Sequence, residues 1–266
     1  MATTTRFRKL RTWVQVGFLA LWLNPLLYLP QLCGVVFHCH ACPLAAFACP
    51  VGAMAGAAAW RVFPFAVVGL LLVVAMSVGS LICGWVCPFG LLQDLAAKVP
   101  TRKLALPPWT GHGRFLVLAV FVIGVPYLLG EGSRFYVCRL CPAGTLEAAI
   151  PYAIEDGTLP STRRLLVFVP FVAAIFFIRR PWCRVLCPLG GLLALGNRWS
   201  LFRVRWDEAA CTHCGECARD CPFGADPTKD LDTSRCIRCL RCADAACGAI
   251  TATVRGTATS GEGVKD

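Results

Sequence analysis

The sequence has 266 residues, 57% of them hydrophobic and 15% charged, with a formal net charge of +11. That apolar balance excludes a disordered chain and is unusual for a water-soluble domain. The excess positive charge does not point to nucleic acid, because Lys and Arg flank apolar runs as they do in membrane proteins.

In chain order, Arg6, Arg8, Lys9 and Arg11 precede an apolar stretch over 13–32. A signal peptide is the alternative, but the run is long and no small-residue cleavage site follows, so an uncleaved first span is expected. A second span is predicted over 62–82 and shorter ones over 115–130 and 165–178. Arg163, Arg164, Arg179 and Arg180 bracket the last as snorkelling flanks. The loop over 39–60, rich in alanine and glycine, is apolar enough to dip back into the membrane. Basic residues concentrate on one side of these spans, which predicts an inner-membrane, multi-pass protein with both termini cytoplasmic. Beyond Arg198 the apolar runs stop and a small soluble domain is expected, ending in a frayed tail over 256–266.

Eighteen cysteines punctuate these segments. Disulfide frameworks rarely place cysteines in tight runs followed by proline, so metal or cluster ligation is the better reading. Cys39-x2-Cys42-Pro recurs as Cys138-x2-Cys141-Pro, and Cys83-x3-Cys87-Pro recurs as Cys183-x3-Cys187-Pro, at nearly constant spacing. Each half then reads span, cysteine pair, span, cysteine pair, which predicts two parallel repeats over about 13–97 and 115–195. Pro-x-Gly follows Cys49, Cys87, Cys141, Cys187 and Cys221. Proline suits the first helical position, so each such cysteine is expected to cap a short helix, with its sulfur near free N–H groups.

Cys211, Cys214, Cys217 and Cys221-Pro222 form the run C-x2-C-x2-C-x3-C-P, in which the fourth cysteine serves the other cluster. Cys236, Cys239 and Cys242 repeat the first three positions, and Cys247 closes the set with Gly248 in place of proline. Two [4Fe–4S] clusters are therefore expected, one on Cys211, Cys214, Cys217 and Cys247, the other on Cys236, Cys239, Cys242 and Cys221. Zinc is the competing reading for tight cysteine groups. A third cluster is expected on Cys83, Cys87, Cys183 and Cys187. A fourth is expected on Cys39, Cys42, Cys138 and Cys141, with thiol–disulfide exchange as the rival chemistry. Cys49 is a surplus ligand, His38 and His40 are hydrogen-bonding neighbours, and Cys33 is a buried thiol. None of the four histidines falls inside an expected span, which argues against bis-histidine haem.

The predicted fold is thus mainly α. A four-span transmembrane bundle of two parallel repeats (1–198) precedes a small α+β bacterial-type two-cluster ferredoxin domain (199–255). The motifs CGWVCPFG at 83–90, CRVLCPLGGLL at 183–193 and the run 211–247 resemble the NapH/MauN-type membrane ferredoxins. The resemblance implies electron transfer between the quinone pool, or a cytoplasmic donor, and a partner oxidoreductase. The outer pairs Cys39/Cys42 and Cys138/Cys141 go beyond that family pattern. Two other functions fit the same residues: an assembly factor for a respiratory metalloenzyme, and a transmembrane thiol exchanger. No residue pattern supplies a catalytic acid, base or nucleophile, so the expected partners are the membrane, redox subunits and a quinone, with no organic substrate and no nucleic acid.

Overall fold

The computed structural model describes residues 6–22, 49–104, 106–244 and 247–254. The chain is mainly helical, with one small antiparallel sheet of β1 (Phe202–Trp206) and β2 (Ile250–Val254), paired from Phe202↔Val254 to Trp206↔Ile250.

The chain does not form the expected four-span bundle. Among the described residues one helix, Trp109–Leu129, is long and apolar enough to cross a membrane. Its 21 residues reach about 31 Å, against a hydrocarbon core of about 30 Å. Phe65–Ser77 has 13 residues and Thr162–Phe177 has 16, or about 20 and 24 Å. The reason is local. Pro64 stands at the start of the first, and it is broken after Ser77 by Gly79, whose φ of +60° ends the ladder. The second carries Arg163 and Arg164 in its first turn, and its C-cap Ile178 is extended. The first expected span is a helix over Arg6–Trp22, and its remainder lies outside the described residues. The second half of the 39–60 loop is a helix, Pro50–Ala59.

Trp109–Leu129 is not uniform. It opens with a tight turn that contains His112, and widens to π geometry over Leu118–Gly124 just before Pro126. Proline removes an N–H from the ladder, and a widened turn is where a helix takes up that mismatch. This helix packs on Pro50–Ala59, while its first α-helical turns, Gly113–Val117, meet Pro188–Leu195, which in turn lies against Phe65–Ser77. The core between them holds Val51, Ala55, Phe89, Val122, Trp182 and Leu193, together with Cys87 and Cys187. Phe89, Phe171 and Trp182 close it as an aromatic trio with ring centroids 5.4 to 6.4 Å apart.

The sheet has its own core, where Val204 and Ile250 meet Leu231 and Leu240. It is fastened to the helical part by buried polar groups. Asn197 donates to the carbonyls of Cys236 and Thr233 at 2.9 and 3.1 Å and accepts from the Ser80 N–H at 3.0 Å. The fully buried Arg238 donates to Ser200 Oγ and to the carbonyls of Asn197 and Phe202. At the other end of the chain, the Phe7 and Arg8 N–H groups donate to the Asp244 carboxylate at 3.2 and 2.9 Å. The first turn of the Arg6–Trp22 helix therefore sits against the C-terminal cysteine loops.

Candidate iron–sulfur centres

Cys87 and Cys187 are N-caps of Pro88–Ala96 and Pro188–Leu195, each followed by proline at the first helical position. Their backbones are extended while the next residue is helical, so each sulfur faces free N–H groups. Cys187 Sγ accepts from Gly190 N–H at 3.4 Å. Cys83 lies on the short helix Leu81–Trp85 and Cys183 on the π turn Trp182–Leu186. The structure brings the four together. Burial pushes every one of these thiols upward, Cys87 to about 12, and Cys83, Cys87 and Cys187 are pushed further by others of the set. Gln93 orders one corner by donating to Cys183 Sγ at 3.2 Å and accepting from Trp182 N–H at 3.3 Å.

A second set gathers Cys221, Cys236, Cys239 and Cys242 around a cavity of about 30 Å³, which Phe223, Ile237 and Leu240 also line. A water needs about 10–15 Å³ by the same measure and several polar partners, so this space suits a larger, sulfur-liganded group. Arg238 and Leu240 are held at φ of 50° and 56°, which turns the Cys239 loop around the cavity. Burial, then neighbouring thiols, push Cys236 to about 12. Cys221 caps no helix. Pro222 opens a turn ended by Gly224 at φ of +62°.

Cys217 lies beside Cys247 and Cys211 in a third set. Cys214 is exposed in the same loop, between His213 and Gly215 at φ of 53° and 68°. The Glu216 backbone N–H, then the Thr212 hydroxyl, pull its thiol down.

On the far side of the helical part, Cys49 and Cys141 cap Pro50–Ala59 and Pro142–Gly144. A Cβ on Gly52 would sit 3.5 Å from both Cys49 Sγ and Cys138 Sγ. Burial and then Cys49 push Cys138 to about 12. Cys49 thus lies together with Cys138 and Cys141 in an outer group. The shared Cys-Pro-x-Gly motif is the signal that marks it. Cys33, Cys39, Cys42, His38 and His40 lie outside the described residues.

Among the described residues, no three Cys, His, Asp or Glu side chains converge tightly enough for one metal ion. The gathered donors are thiols, the donor type that iron–sulfur clusters take.

The inner and second sets are adjacent. Cys183 packs on the cluster of Phe223, Ile237 and Cys239, as does Cys221. Gly84, between Cys83 and Cys87, presses on the opposite backbone: a Cβ there would lie 2.6 Å from the Ile237 carbonyl oxygen and 3.1 Å from Cys239 Cα. Only glycine permits that approach.

Charged residues complete this junction. Asp94 accepts from Arg180 Nε and Nη2 at 2.7 Å each and from Arg11 Nη2 at 2.6 Å. Arg11 Nε and Gln15 donate to the Gly84 carbonyl at 2.7 and 3.0 Å. Sequence reasoning missed Asp94 and took Arg180 for a snorkelling flank. Arg180 is 1% exposed and Arg114 2%. Burial of an arginine leaves no mark in local sequence.

Comparison with known proteins supports iron–sulfur binding by this chain. A profile for a 4Fe–4S binding domain matches residues 60–107, 112–150 and 161–207, half of the chain, and a second 4Fe–4S binding domain profile matches 203–225. YccM of Escherichia coli, an electron transport protein by its name, is 32% identical over 64% of this chain and 50% of its own length. The methylamine utilization ferredoxin-type protein MauN of Paracoccus denitrificans is 29% identical over 62% of this chain and 57% of its own. The chain belongs to the NapH/MauN-type membrane ferredoxin family. This ferredoxin also resembles the regulatory protein NosR of Pseudomonas aeruginosa, 30% identical over 59% of this chain but 22% of NosR. It therefore spans about half the length of YccM and a smaller part of NosR. No solved structure matches it.

Proposed function

We propose that this ferredoxin is a membrane-associated relay for single electrons, running from its C-terminal cysteine loops into the helical part. In this reading residues 199–255 hold two four-iron clusters, one on Cys211, Cys214, Cys217 and Cys247, the other on Cys221, Cys236, Cys239 and Cys242. Cys83, Cys87, Cys183 and Cys187 hold a third, and Cys49, Cys138 and Cys141 supply three corners of an outer one. Such clusters take up and release one electron at a time. The donor and acceptor are a quinone or cytoplasmic donor at one end and a partner oxidoreductase at the other. The C-terminal loops and the Arg6–Trp22 helix share one side, which the basic residues near the N-terminus make the cytoplasmic one.

The observation that carries this reading is the contact of Gly84 and Cys183 with Cys239. Electron tunnelling falls steeply with separation, and here two sulfur sets meet backbone to backbone beside the buried apolar side chains of Phe223 and Ile237. The chain's own part is to hold the sulfurs, exclude water from this contact and fix the separation.

Gly84→Val tests it. The bulkier residue should push the two sets apart, leaving iron per chain unchanged while electron equilibration between their EPR signals slows at least tenfold after a pulse of limiting dithionite. Cys187→Ser should remove the iron of one cluster. Unchanged iron in Cys187→Ser, or unchanged equilibration in Gly84→Val, would overturn the relay.

A further inference from the structure

Two buried arginines stand against the inner four cysteines, and each has one N–H group that no protein atom accepts. Arg180 gives Nε and Nη2 to Asp94 at 2.7 Å each, and its Nη1 is buried without a partner. Arg114 donates Nε to the Gly111 carbonyl at 2.9 Å and Nη2 to the Ser234 carbonyl at 2.6 Å, and its Nη1 is likewise buried and unpartnered. Buried donors are almost always satisfied. Other buried N–H groups among the described residues also lack a partner, but these two belong to arginines beside the same four sulfurs, which can supply the acceptor.

The placement is specific. Arg180 is within electrostatic reach of Cys83, Cys87 and Cys183 on one side and of Cys239 on the other. Arg114 reaches Cys83, Cys183 and Cys187. The Arg180 guanidinium lies flat against Gly90, where a Cβ would be 3.5 Å from its Cζ and both terminal nitrogens. Its backbone is held at φ of 51°, a conformation a non-glycine residue adopts only when its surroundings impose it.

We propose that Arg180 and Arg114 set the reduction potential of the inner centre, donating to its sulfur and fixing positive charge beside it, with the Asp94 carboxylate as the opposing charge. The proposal rests on the reading that these four cysteines hold a four-iron cluster. Net charge and hydrogen bonds to sulfur are two of the levers that set such potentials. Positive charge and N–H donation favour the more negative, reduced state, and a carboxylate disfavours it. Because Arg180 also faces Cys239, it biases the electron toward the junction between the two sets.

The test is a dithionite titration of the purified full-length protein, in which dithionite supplies the electron and EPR reports the inner signal. Arg180→Gln and Arg114→Gln should each lower the inner midpoint by 59 mV or more, which is tenfold in the ratio of reduced to oxidised centre for one electron. Asp94→Asn should raise it, and Arg180→Lys should stay near the parent value. A structural role would not produce shifts of opposite sign. Unmoved midpoints, or arginine and aspartate variants shifting the same way, would overturn the proposal. Should Arg180→Gln fail to accumulate, Arg114→Gln and Asp94→Asn decide it by the same criterion. Failure of the cluster reading itself shows separately, as an iron content that Cys187→Ser does not change.

Discussion

Asp94 shows how one carboxylate can join three segments distant in sequence. It lies on Pro88–Ala96, pairs with Arg180 beyond the Thr162–Phe177 helix, and pairs with Arg11 near the N-terminus. Burial alone would push its carboxyl up, but the two guanidinium groups outweigh burial and hold it well below the usual carboxylate range. The sign of the pH effect follows. A carboxylate lowered in the folded state contributes its full stability above the unfolded value of about 3.9, and that stability is lost only as pH falls through the lower folded value. Amide hydrogen exchange in Pro88–Ala96, corrected for intrinsic rates, should therefore show equal protection at pH 8 and pH 5. Asp94→Asn leaves two buried arginines without a counter-charge, which costs about 3 kcal/mol. Protection should then fall by about a hundredfold, and equal protection in variant and parent would refute this account. The sequence does not announce the ion pair, because Asp94 and Arg180 find each other only through the tertiary fold. Cys87 is the opposite case. Its place before Pro88 is written in adjacent residues, and the helix cap follows from it.

At the scale of elements, the same division separates what is legible from what is not. Helix starts at Cys-Pro are local events, and the structure forms them at Cys49, Cys87, Cys141 and Cys187. Helix lengths are not. Counting apolar residues carries the eye straight through Pro64 and Gly79, where backbone geometry stops the helix and the chain turns back onto the cysteines. The N-terminal helix adds a further dependence. The N–H groups of Phe7 and Arg8 lie in the first described turn, and the buried carboxylate of Asp244 accepts from both. An N-terminal carboxylate of this kind is worth about 1–2 kcal/mol, and the Arg8–Asp220 pair at 2.6 Å is exposed and worth less. Asp244→Ala should raise the undocked population of Arg6–Trp22 by about tenfold for each 1.4 kcal/mol lost. Trypsin cleavage after Arg8 and Lys9, measured where reclosing outpaces cutting, should speed up by that factor. An unchanged cleavage rate would show that the helix is held by its side chains and not by its capped end.

Over the whole molecule, the distribution of apolar surface argues for lipid. Phe65 is 78% exposed, Leu116 64%, Leu128 76% and Leu166 74%. They lie on three different helices, Phe65–Ser77, Trp109–Leu129 and Thr162–Phe177. Isolated apolar side chains at a surface are ordinary, but large ones recurring along helix after helix mark a surface that water does not cover. One of these helices has the length to cross a bilayer, and the other two are shorter and expose apolar side chains beside it. The C-terminal cysteine loops differ, with their own small core around Val204 and Leu240 and charged loops outside it. The molecule is expected to sediment with membranes, to resist extraction by high salt and to be released by detergent, with the C-terminal loops open to protease from one face only. Replacing Leu116, Val120 and Leu128 by serine, which removes apolar surface but touches no cysteine, should move at least half of it into the soluble fraction with iron per chain preserved. Parent protein recovered in the soluble fraction without detergent would show that these faces are covered by another protein and not by lipid.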